Sequence, residues 1–147
     1  MAFVLAAALC VLPAQAQKQY RDATSGFMNE TTFVASAAYT TSSSTITPVD
    51  IGSYASGVLM INVTAVAGTS TPTLTVNFAA CASSAGQQSA PANANCTTHT
   101  AGTGITATGV YLIKVDHFPR WNTVNYTISG TTPSFTFSVV GYFKPTS

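Results

Sequence analysis

Charged side chains are nearly missing from this chain. Five Lys or Arg and four Asp or Glu stand among 147 residues, 6% in all, for a net charge of +1. A typical soluble domain is about a quarter charged. So few cations release few counterions from a phosphate backbone, which argues against nucleic acid as a partner. So few titratable groups also leave little from which to build a catalytic site. The expectation is a building or binding module, not an enzyme, with no cofactor and no metal. Long apolar runs are missing as well: none approaches the roughly 20 residues that a stable membrane span requires. Helical periodicity is absent after the amino-terminal segment. What replaces charge is small and neutral, with 24 Thr, 15 Ser and 22 Ala. Disorder does not follow, because 46% of residues are hydrophobic and 10% aromatic, enough for a packed core. The length suits one domain.

Residues 2–11 are apolar, Pro13 interrupts them, and Ala14-Gln15-Ala16 precedes Gln17. This is the layout of a secretory signal peptide, except that no Lys or Arg precedes the apolar run. Two readings stand: a leader cleaved near Ala16, or an uncleaved apolar arm that packs on a neighbour in an assembly. Cys10 is a poor lipidation site because bulky Leu9 precedes it. Removal of the leader leaves Cys81 and Cys96, a pair expected to form a disulfide in an oxidising compartment and to stay as thiols in a cytoplasm. Four N-x-Thr sequons, at Asn29, Asn62, Asn95 and Asn125, matter only in a glycosylating host.

From Thr31 onward the pattern is β. Residues 58–66 are rich in β-branched side chains; Gly68-Thr69-Ser70-Thr71-Pro72 follows; then Leu74, Val76 and Phe78 alternate with Thr73, Thr75 and Asn77. The design recurs: Val124, Tyr126 and Ile128 alternate with polar residues, Gly130-Thr131-Thr132-Pro133 follows, and Phe135, Phe137 and Val139 alternate again. Period-two alternation means one buried and one wet face. Each unit reads as a hairpin with Gly at its turn. Residues 109–115 supply another strand, and 32–38 and 45–51 supply candidate edge strands. The fold class expected is all-β, a single antiparallel β-sandwich of jelly-roll or Ig-like type with an apolar N-terminal leader or arm. The domain reading is a leader or assembly arm over 1–31 and a sandwich domain over 32–147, with a long loop at 79–103. Edges of such a sheet need protection, and charge is the common device. With almost no charge available, edges covered by or used in assembly are expected, hence a homo-oligomer.

Candidate chemistry is sparse. Asp116, His117 and Arg120 look like the start of an acid–base site, but strand neighbours point to opposite faces and no partner is recognisable, so a surface turn is the better reading. Cys96 and His99 have metal-like spacing, with Cys81 and His117 as remote companions; a disulfide explains the cysteines with fewer assumptions. Trp121 beside Arg120 reads as a core anchor more readily than as a ligand platform. Gly102-Thr103-Gly104 is too short for a phosphate loop. Tyr39, Tyr54, Tyr142 and Phe143 are candidate interface residues, since interfaces are rich in aromatics and poor in charge; plugging the ends of a sandwich is the plainer alternative.

The ordered segments Phe33-Val34-Ala35-Ser36-Ala37-Ala38, residues 57–66, residues 105–111, Phe118-Pro119-Arg120-Trp121 and residues 135–142 together resemble the small β-sandwich proteins encoded among head genes of tailed bacteriophages. The resemblance spans roughly residues 32–143. It implies a non-enzymatic virion component, a capsid-decorating or cementing subunit whose partners are copies of itself and the major capsid protein or neighbouring virion subunits. The alternative is a secreted bacterial surface, filament or adhesion subunit with a Cys81–Cys96 disulfide. A third reading, glycan or other ligand binding through the long loop and Tyr side chains, has no specific residue signature.

Overall fold

The computed structural model describes residues 20–22, 26–52, 54–84 and 95–145, all strand or irregular segment with no helix. Among the described residues seven strands form in chain order: β1 (Tyr20–Asp22), β2 (Gly26–Tyr39), β3 (Val49–Asp50), β4 (Tyr54–Cys81), β5 (Cys96–Thr100), β6 (Gly109–Asp116) and β7 (Trp121–Pro145). Every pairing among them is antiparallel. The central pair is β4 with β7, matched from Tyr54↔Pro145 to Cys81↔Trp121. Outward from it, β2 lies on β7 and β1 on β2, while β6 and β5 flank successive parts of β4 and β3 flanks β7.

The two expected hairpins do not form. Residues 58–66 do not pair with 73–78, nor 124–128 with 135–139; each unit is one long strand, and the two units pair with each other, as in Leu59↔Gly141 and Val76↔Tyr126. The Gly and Pro signals mark bends within strands. At the bend, residues 70–72 of β4 oppose Gly130 alone, because the register steps from Thr69↔Thr131 to Thr73↔Ser129. Gly68 and Gly130 take φ of 135° and 118°, which L side chains rarely adopt. A side chain at Gly68 would lie 3.0 Å from Pro133, and one at Gly130 would lie 3.0 Å from Pro72. The recurring Gly…Pro spelling therefore reflects two bends nested against each other, each glycine making room for the other strand's proline.

The bend folds the sheet over on itself. Gly57 pairs with Phe143, and Phe78 follows 21 positions later (57 to 78). A straight strand would separate them by about 70 Å, yet the Phe78 and Phe143 rings lie 6.4 Å apart. The enclosed side holds Leu59, Ile61 and Val63 from before the bend and Leu74, Val76 and Phe78 from beyond it, with Val124, Tyr126, Phe135, Phe137, Val139 and Phe143 of β7. These are the in-phase positions of the period-two pattern. The all-β, antiparallel expectation is met, by one continuous sheet. The sheet also starts earlier than residue 32, at Gly26 for β2. The loop expected at 79–103 is shorter, because 79–81 complete β4 and the Thr-rich 96–100 pair back onto it as β5. Of the arm, residues 1–19 lie outside the described residues, as do 85–94 of the loop.

Candidate functional site

Cys81 and Cys96 are directly opposed in the β4–β5 pair, with Cα atoms 4.0 Å apart, and are joined by a disulfide. Their sulfurs are thus not thiolate ligands, and no cluster of three metal-ligating side chains occurs among the described residues. His99 instead shares a hydrogen bond with the Thr100 hydroxyl at 3.0 Å, and its Nε2 lies 3.3 Å from the His117 carbonyl oxygen. Beside the disulfide, Trp121 pairs with Asp50 and is half-buried. Both Nε and Nη2 of Arg120 donate to Asp50 Oδ2, at 2.8 and 2.7 Å, and the guanidinium carbon lies 5.3 Å from the centre of the Trp121 ring. The hydrogen bonds from Arg120, then one from the Gly52 amide, hold the Asp50 carboxyl below its ordinary range. Arg120 is exposed and is held at the sheet border by Asp50, with the half-buried Trp121 ring beside it.

Asp116 and His117 depart from the strand-alternation expectation. His117 takes a left-handed φ of 49°, which ends β6 and swings its ring towards the preceding carboxylate, leaving His117 Nδ1 3.5 Å from Asp116 Oδ1. Both side chains are largely exposed. Gly102 lies where a side chain would strike the Val76 carbonyl, and its amide donates to Asn77 Oδ1 at 3.0 Å. It serves a close approach of backbone to backbone. Asn77 in turn donates to Asn125 Oδ1 at 3.0 Å across the β4–β7 pair, which occupies one of the sequon asparagines.

The four aromatic candidates separate. Phe143 is a correction: it is fully buried and cannot anchor an interface of the folded chain. It belongs to β7, in phase with Phe137 and Val139, and its ring covers Gly57 and Gly141, where an added Cβ would clash with it. Extending the alternation through Gly141 is the signal that would have found this. Tyr39 packs its ring 5.0 Å from Phe137 and 5.5 Å from Tyr126, and its hydroxyl donates to the Ala35 carbonyl at 2.8 Å. Burial, then the nearby Tyr39, raise the Tyr126 hydroxyl above the usual tyrosine range, opposed by a hydrogen bond with Ser43. Tyr54 opens β4 opposite Pro145, with its side chain outside what is described. Tyr142 lies half-buried on the outer face.

That outer face was not singled out in the sequence. Before the bend, Leu112 pairs with Met60, Met60 with Val140, and Val140 with Thr32; the next row runs Lys114, Val58, Tyr142, Glu30. Residues opposed in an antiparallel pair share a face, so these rows lie together, opposite the core. Val110 and Leu112 on β6 are 61% and 66% exposed. An open depression of about 270 Å³ at the end of this face is lined by Ser56, Val58, Lys114, Asp116 and Lys144 among others. Among the described residues no strand pairs with the far side of β6, nor with the far side of β2 beyond Met28. No helix among the described residues is long and apolar enough to cross a membrane. Compared with known proteins, the chain matches no family model, no curated protein and no solved structure.

Proposed function

We propose that this chain is a non-enzymatic structural subunit that associates with copies of itself through its sheet edges. The observation that carries this reading is the border before the bend: among the described residues no strand pairs with the far side of β6, which exposes Val110 and Leu112 beside the half-buried Val58, Met60 and Val140. Exposed apolar side chains grouped at an unprotected sheet edge favour strand pairing between molecules. The phage-head resemblance of residues 32–143 gives the assembly a form, a subunit that decorates or cements a capsid and contacts the major capsid protein or neighbouring virion subunits. The leader or the segment after it then acts as an arm laid along a neighbour.

A second reading, a secreted bacterial surface or filament subunit, is favoured by one specific observation. The Cys81–Cys96 bond closes a cross-strand pair, and such bonds persist chiefly in oxidising compartments. The intact mass of protein from its native particle or culture, with and without reductant, separates the two. A chain that retains residues 1–16 supports the virion subunit. A chain that begins at Gln17 and gains two protons on reduction overturns it in favour of the secreted one.

A further inference from the structure

Six charged side chains fall among residues whose side chains are described: Glu30, Asp50, Lys114, Asp116, Arg120 and Lys144. Asp50 and Arg120 bind each other, Asp116 lies against His117, and Lys144 has a partner of its own. Glu30 and Lys114 are in neither ion pairs nor side-chain hydrogen bonds among the described residues. They have opposite signs and, among the described residues, occupy opposite borders of the same part of the sheet. They also share one transverse row, since Glu30 pairs with Tyr142, Tyr142 with Val58, and Val58 with Lys114. Three inter-strand steps separate them by about 14 Å, so they cannot pair within one chain.

Strand directions complete the picture. From β2 through β7 and β4 to β6 each step is antiparallel, so β2 and β6 run in opposite directions. A second copy shifted sideways along the sheet, without being turned over, sets its β2 antiparallel to the first copy's β6. In that register the row continues from one molecule to the next, and Lys114 stands opposite Glu30 on the shared outer face, with Leu112 opposite Thr32. We propose that copies of this chain join head to tail, the β6 edge of one pairing with the β2 edge of the next, with Lys114 and Glu30 setting the register. This rests on the reading of the chain as a self-associating subunit and specifies its interface. Two different edges meet, so the contact is heterologous and generates a ring or an open row in place of a two-fold dimer. Opposite charges at the two ends of one row select register, which apolar strands specify weakly by themselves.

Sedimentation velocity of the full chain over a range of concentrations tests this, with Glu30→Lys and Lys114→Glu made singly and together. Each single variant places like charges opposite one another and is expected to associate roughly tenfold more weakly. An equimolar mixture of the two single variants restores association, because every junction between unlike copies is again a Lys–Glu pair; so does the double variant. Circular dichroism melting checks that each variant folds, and Glu30→Gln and Lys114→Gln replace any that does not, with smaller losses expected. Single variants that associate like the wild-type chain, or mixtures without rescue, overturn the head-to-tail interface and leave self-association standing. Tighter association of Lys114→Glu with the wild-type chain than of either with itself indicates β6 facing β6 and overturns it too. A wild-type chain that stays monomeric at all concentrations overturns both the interface and the self-association reading.

Discussion

Beyond the bend, where residues 73–81 of β4 meet 121–129 of β7, the sheet is closed by its own side chains. A disulfide ties β4 to β5, Arg120 grips Asp50 across the β3 border, and Asn77 and Asn125 bind each other on the outside. The Thr123 hydroxyl donates to the Ile46 carbonyl at 2.7 Å, and Thr123 is fully covered. Before the bend, where residues 54–67 meet 134–145, the Thr64 hydroxyl donates to the Thr136 carbonyl at 3.3 Å, and the described residues there carry no disulfide. Their outer face mixes Val110, Leu112, Met60 and Val140 with Asn62, Ser138, Glu30 and Lys114, and among the described residues no strand pairs with the far side of β6. The backbone plan is shared and the finish is not. The disulfide, the Asp50–Arg120 pair and the Asn77–Asn125 bond all fall beyond the bend, whereas the exposed Val110 and Leu112 lie before it.

The comparison can be broken at three points. The largest effect is expected where the two parts meet. Phe143→Ala removes a ring that touches Phe33 at 6.1 Å, Phe118 at 5.7 Å and Phe78 at 6.4 Å between centroids. Its loss leaves a cavity over Gly57 and Gly141 and is expected to cost about 3–5 kcal/mol in denaturant unfolding. Next comes the closed part by itself. The double variant Cys81→Ser, Cys96→Ser opens a loop of sequence separation 15 and is expected to lower stability by about 3 kcal/mol on the chain-entropy estimate. Thermal melting reads that loss, and sedimentation of the folded variant is expected to show unchanged association, because the disulfide lies across the bend from β6. An equal loss of association would merge the two regions into one.

The smallest effect concerns the exposed Asp50–Arg120 pair. Asp50 is held below its ordinary range in the folded chain, so its contribution is present above the unfolded carboxylate value of about 4 and is lost as pH falls through the lowered folded value. Asp50→Asn is expected to remove that part of the acid sensitivity, read as a shallower loss of melting temperature on acidification. High salt is expected to mimic the variant only weakly, since the contact is also a pair of hydrogen bonds. An Asp50→Asn chain whose acid profile matches the wild type would show that the pair contributes nothing to the closure.

Much of this was legible residue by residue. Leu74, Val76, Phe78, Val124, Phe135 and Phe137 are buried where the alternation puts them. The bends at Gly68 and Gly130 fall on the Gly…Pro spellings. What those spellings could not convey was the partner. A bend and a hairpin turn use the same residues, because in both glycine supplies positive φ and proline interrupts the ladder of a regular strand. Only the pairing of β4 with β7 decides between them. Phe143 was misjudged because Gly141 interrupts the apolar phase, although that glycine is the space its ring fills. Asp116 and His117 come together because a left-handed residue breaks the alternation on which their separation was argued.

The sequence alone determined strand type, the in-and-out phase of each strand and the scarcity of charge, since these depend on neighbours one or two positions away. Tertiary structure decided which strands meet, that the sheet doubles over at its two nested bends, and that Glu30 and Lys114 share a row although 84 positions (30 to 114) lie between them. The physical reason is range. Side-chain alternation is a local property of an extended backbone, whereas register between distant strands is selected by the whole buried face, and no segment holds that information by itself.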